Sequence, residues 1–264
     1  MRRALLAIWL VATALPLAAQ TPDEFTNLQI LPKDISKPEL VGMMRGFAGA
    51  LGVRCSYCHV GPDNLVGMDF ATDEKPTKHT ARKMIKMVRA INGELLAGIE
   101  TSSGTKVAVG CNTCHRGVVS PQQIEDVVAA VIDSDGYEAG VAKYKELRDS
   151  YYGRAAYDFG PPPLNTLAER LFRQGRQDEA IVLTKMNNEL HPDYPWSRSL
   201  LGRFHMARGE TAEAIAAFEE ALAFEPDNEW VKAQLAKLKQ PAASGEKEGR
   251  EKEGGKKEGG KKEQ

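Results

Sequence analysis

Two five-residue stretches constrain this chain more than anything else in it: Cys55-Ser56-Tyr57-Cys58-His59 and Cys111-Asn112-Thr113-Cys114-His115. All four cysteines of the 264 residues fall in these two pairs. A C-x-x-C pair followed at once by histidine is the attachment pattern of c-type haem. Two thiols form thioether links to the two vinyl groups, and the short gap curls the backbone so that the histidine meets the iron. Zinc, disulfides and a thioredoxin-like redox pair are the alternatives. None of them calls for histidine directly after each pair. With five histidines in the chain, two such placements by chance are a coincidence of roughly one in a few thousand. Two covalently bound haem c groups are therefore the expected cofactors.

Thioether attachment belongs outside the cytoplasm, and the N-terminus agrees. Met1-Arg2-Arg3 precedes an uncharged apolar run, Ala4 to Leu17, and a polar start at Thr21. That is the three-part pattern of a secretory signal peptide. The run is short for a membrane span, and no cysteine follows it to carry a lipid. Export to a periplasm is expected, with membrane association as the alternative if the leader is retained. The balance of 35 basic and 36 acidic residues gives no electrostatic footprint for nucleic acid.

Between the leader and Pro121 the pattern is helical around the two motifs. Pro38 to Leu51 reads as a helix with Ser36 as its cap, and Val60 to Pro76 as loop. Thr77 to Ala97 reads as a second helix, with Met84, Met87, Val88, Ile91 and Leu95 at helical spacing. Glu100 to Gly110 reads as a turn and short strand. Ile124 to Asp133 and Tyr137 to Ser150 read as two further helices. Beyond Gly160-Pro161-Pro162-Pro163 the chain repeats with a period of 34: Gly175 and Gly209, Ala180 and Ala214, Ile181 and Ile215, Pro192 and Pro226. That period and those residues resemble tetratricopeptide repeats. The first copy has Thr184 where the second has Phe218, and Glu229 to Lys239 is the expected closing helix. Residues 241–264 hold no large apolar side chain and are expected to be disordered. The expected organisation is signal peptide 1–20, dihaem cytochrome c domain 21–121, helical connector 122–163 with a degenerate earlier repeat at Asp135 to Leu147 as the alternative reading, repeats 164–240 and tail 241–264. The fold class is mainly α, a multihaem cytochrome c domain followed by helical repeats.

A second axial ligand closes a haem iron to small molecules, and methionine raises its potential. The Met43–Met44 and Met84/Met87 groups lie on helices just upstream of a motif. His79 competes, although Lys78, Thr80, Arg82 and Lys83 around it read as a solvated helix start. His191 and His205 read as structural. Arg54, Arg82, Arg89 and Arg116 are candidates for pairing with haem propionates; solvated surface positions are the other reading.

Residues from about Phe25 to Pro121 resemble the cytochrome c subunit of photosynthetic reaction centres. The resemblance rests on Asn27-Leu28-Gln29-Ile30-Leu31, on the Met-Met helix ending in Leu51-Gly52, on the run from Ala81 to Asn92, and on Val109-Gly110-Cys111 with Cys114-His115-Arg116-Gly117. It implies that Cys55, Cys58, Cys111 and Cys114 hold haem covalently. It also implies that His59 and His115 are proximal iron ligands and that Met44 and Met84 are distal ones, with Met43 and Met87 as second choices. The chain corresponds to one half of the family's four-haem subunit. Gly98 stands at the position matching a cross-ligating histidine of that subunit.

These readings converge on a non-enzymatic electron carrier of the periplasm. Redox proteins are its expected partners, a membrane-bound redox complex among them, and the repeats are the expected protein-docking surface. The alternatives are a peroxidase-like enzyme or sensor with one open haem, and a repeat scaffold whose haems are structural.

Overall fold

The computed structural model describes residues 21–240; the leader and the charged tail of the sequence reading lie outside them. The described chain is mainly helical and divides after Phe159 into two compact units.

The first unit begins with an extended strap, residues 21–35, ahead of α1 (Lys37–Leu51). Ser36 caps α1 through a full capping box: its hydroxyl faces the Glu39 amide, and the Glu39 carboxylate accepts from the Ser36 amide at 3.2 Å. At the other end Gly52 takes a left-handed conformation (φ +68°), and the Val53 amide reaches back to the Ala48 carbonyl at 3.0 Å. Gly52 is required twice over, because a Cβ there would lie 2.2 Å from the Gly117 carbonyl oxygen.

Next come α2 (Pro76–Ala90) and the one-turn α3 (Cys111–His115). The α2 helix stops short of the expected Ala97. It passes into a single π-turn over Ile91–Leu95, closed by Leu96 N–H to Ile91 O at 2.8 Å. The strand expected within Glu100–Gly110 is a turn with one isolated bridge, Glu100 to Lys106. The Thr101, Ser103 and Thr105 hydroxyls bond to one another, and the Thr105 amide donates to the Thr101 hydroxyl at 3.1 Å. Local bonding of this kind competes with a sheet ladder. The unit closes with the helix pair α4 (Ile124–Asp135) and α5 (Tyr137–Tyr151).

Among the described residues the second unit is five helices: α6 (Pro161–Arg173), α7 (Gln177–Leu190), α8 (Pro195–Ala207), α9 (Thr211–Phe224) and α10 (Glu229–Lys239). Its 34-residue period is visible in the packing. Gly175 and Gly209 both turn the chain at positive φ, and Ala180 and Ala214 are both fully buried. A Cβ at Gly202 would sit 2.6 Å from the Phe218 ring. One period earlier the same pair of positions holds Ala168 and Thr184, both fully buried. The methyl gained at Ala168 offsets only part of the ring lost at Thr184, so the two copies pack this position differently. α10 covers the last apolar face through Val231 and Leu235.

Candidate functional site

The first motif sits at the end of α1. The left-handed turn at Gly52 redirects the chain into a short 3-10 turn, Cys55–Tyr57, and the His59 amide donates to the Cys55 carbonyl at 3.0 Å. Residues at the start of α2 hold this loop: Thr77 Oγ1 donates to the Tyr57 carbonyl at 2.7 Å, and Lys75 Nζ donates to that of Ser56. The loop opens onto an apolar cavity of about 240 Å³. Met44, Cys55, Cys58 and His59 all line it; Phe25 and Leu28 of the strap and Ala81 and Ile85 of α2 complete its walls. Met43, on the adjacent position of α1, is half-buried and does not line it.

The His59 ring packs edge-on against Phe70 at 5.1 Å. Burial holds its imidazole below the ordinary value. That favours the neutral form, which is the form that binds a metal. Its Nδ1 is buried without a hydrogen-bond partner. Burial also pushes the Cys58 thiol up, opposite to what a thioredoxin-like thiolate requires.

The second motif is built differently. Gly110 precedes α3 and donates its amide to Thr113 Oγ1 at 2.9 Å. Asn92, in the π-turn after α2, clamps Val109: its Nδ2 donates to the Val109 carbonyl and its Oδ1 accepts from the Val109 amide, both at 2.8 Å. Past the motif, Arg116 and Gly117 turn the chain at positive φ, and the Gly117 amide donates to the Ala50 carbonyl of α1 at 2.8 Å. His115 is buried, and its Nδ1 lies 3.0 Å from the Val118 carbonyl. That contact makes Nδ1 the donor and leaves Nε2 with the lone pair, the arrangement that orients a metal-binding histidine. Cys111 is half-buried and Cys114 exposed.

Met84 is half-buried on α2 and outside the first cavity, and Met87 is exposed. His79 is exposed. Lys78 and Arg82 are not the solvated helix start that the sequence suggests, since their side chains are only 12% and 13% exposed. Arg82 makes a two-pronged pair with Asp73, at 2.7 and 2.8 Å. Lys78 Nζ donates to the carbonyls of Phe70, Ala71 and Thr72 at 2.7 to 3.0 Å. Arg89 donates to the Ile30 carbonyl, and Arg116 Nε to that of Thr113. Arg54 lines the cavity.

None of the four cysteines is in a disulfide. Among the described residues no three His, Cys, Asp or Glu side chains converge as a metal-ion site. An apolar cavity presenting two free thiols, an imidazole and a thioether fits haem c.

A model of the photosynthetic reaction centre cytochrome c subunit matches residues 12–158. The chain belongs to that family. It is accordingly related to electron carriers with covalently bound haem c. The family match continues beyond Pro121 through α4 and α5. A tetratricopeptide repeat model matches residues 171–238. Among curated relatives, cytochrome c-554 of Chloroflexus aurantiacus is 36% identical over 108 residues, 41% of this chain and 24% of that protein. The photosynthetic reaction center cytochrome c subunit of Rubrivivax gelatinosus is 31% identical over 117 residues, 37% of this chain and 31% of the relative. In the repeats, an Hsp70-Hsp90 organizing protein of Triticum aestivum is 41% identical over 69 residues, 26% of this chain and 12% of that protein. The chain thus spans less than a third of the length of each of these relatives.

Proposed function

We propose that this protein is an exported dihaem c-type cytochrome that passes electrons between redox partners in the periplasm. The observation that carries the reading is the apolar cavity in which Met44 joins Cys55, Cys58 and His59. Cys55 and Cys58 would hold one haem covalently, with His59 and Met44 as its iron ligands. Cys111 and Cys114 would hold the other, with His115 as proximal ligand and Met84 as distal ligand. Bound haem supplies a one-electron ferric/ferrous couple. The chain's part is to orient two imidazoles and two thioethers and to keep water from the metal. His115 does the first through its bond to Val118, and the strap and α2 do the second around His59. Apolar walls and a thioether ligand both favour the reduced state. Redox protein partners follow from the kinship with reaction-centre subunits, and the 34-residue repeats supply stacked helix pairs of the kind that dock proteins.

The test is haem content and the ferric and ferrous absorption spectra of protein matured in a host that assembles c-type cytochromes. Two haems per chain, both low-spin, with a ferric thioether band that Met44→Ala halves, are the expected outcome. One high-spin ferric haem that binds cyanide would move the function to an enzyme or sensor. Absence of haem would overturn the reading.

A further inference from the structure

The cavity at the first motif has a wall that is tied shut by one residue outside the motif. Asp73 lies in the loop before α2, and its two carboxylate oxygens accept from three side chains. Asn27 Nδ2 donates to Oδ1 at 2.9 Å, Gln29 Nε2 to Oδ2 at 2.9 Å, and Arg82 to both, at 2.7 and 2.8 Å. Lys78 adds its charge at 3.3 Å. Asn27, Gln29, Lys78 and Arg82 are themselves cavity-lining residues, two from the strap and two from α2. Asn27 uses its second N–H on the Ala71 carbonyl, and Gln29 uses its second on Asn27 Oδ1. Every donor of the two amides is therefore spent in this cluster. Elsewhere the strap is held by Lys37 at the Thr21 carbonyl and the Asp23 carboxylate, by Arg89 at the Ile30 carbonyl, and by the buried Leu31; at Asn27 and Gln29 the Asp73 cluster holds it.

We infer that Asp73 is a positioning residue for the first haem, latching the strap around Phe25–Leu31 to α2 so that water is kept from the Met44 side of the cavity. This rests on the proposed haem ligation by Cys55, Cys58, His59 and Met44. A two-pronged arginine–carboxylate pair fixes orientation as well as proximity. The latch therefore sets where the strap lies, not only that it stays. Loss of the strap would admit water, which favours the ferric charge and lowers the potential.

Two full-length variants test this. Asp73→Asn removes the charge and the two-pronged acceptor. The double change Asn27→Ala with Gln29→Ala cuts only the strap side of the latch and leaves all formal charges in place. Chymotrypsin cleavage within 25–31, after Phe25 or Leu28, should speed up at least tenfold in both, with cleavage in residues 161–239 unchanged. In the double variant one of the two haem midpoints should fall while the other holds. A tenfold change in the ferric/ferrous balance corresponds to about 59 mV for one electron. Unchanged cleavage at 25–31 in both variants would overturn the latch. Accelerated cleavage with both midpoints unmoved would overturn its role at the haem. Haem per chain in the parent protein is read separately, so failure of the ligation reading shows as missing haem on Cys55 and Cys58. The cleavage result then still decides the latch.

Discussion

Met44 and Gly52 show how differently single residues can matter on one helix. Met44 faces the cavity and Met43 does not. Met44→Ala should therefore halve the ferric thioether band while Met43→Ala leaves it intact, as read by absorption near the far-red end of the spectrum. Gly52 has no chemistry, yet its left-handed backbone and its approach to the Gly117 carbonyl join the end of α1 to the second motif. Gly52→Ala combines a backbone penalty with overpacking. It should cost at least about 2 kcal/mol in urea unfolding. Both cysteine pairs and their histidines were legible in the sequence, because the motif is local. Asp73 was not. It is one acidic residue in a loop, and its importance comes from Asn27, which is 46 positions away.

At the scale of the element, helices were readable and their irregularities were not. Ser36 and a proline at the first turn mark the start of α1 in the sequence, and the structure adds Glu39 to complete a capping box. Ser36→Ala should lower stability by about 1 kcal/mol. The π-turn after α2 had no comparable signal, because apolar spacing continues through Ile91 and Leu95. The lysine and arginine on α2 looked solvated for the same reason: spacing alone does not reveal an acidic partner in the preceding loop. That partner gives the element a pH dependence. Hydrogen bonds from Arg82 hold the Asp73 carboxyl well below the usual carboxylate range. Its contribution is therefore complete above the unfolded value of about 3.9 and is lost as pH falls through the lower folded value. Acid unfolding of the first unit should be less steep in Asp73→Asn, with up to one proton fewer taken up, as measured by the pH dependence of urea midpoints.

On the scale of the whole molecule, mainly α architecture and a repeat-bearing second half were legible, since a 34-residue period survives the exchange of Phe218 for Thr184. The second unit contains no cysteine, and both haem motifs lie in the first. Residues 160–240 expressed alone should unfold cooperatively by circular dichroism. Protein ending at Phe159 should keep the haem content of the full chain. The wrapped first site also has a consequence for how the protein is made. The strap precedes Cys55 and the proposed latch follows Cys58, so chain from both sides lies around two half-buried thiols, and burial pushes the Cys58 thiol up. Attachment chemistry needs reachable, ionisable thiols. On the proposed haem ligation, loading at this site is expected to precede the end of folding. Biogenesis would then be a race between cofactor delivery and closure, and apoprotein folded before haem is supplied should stay colourless at this motif.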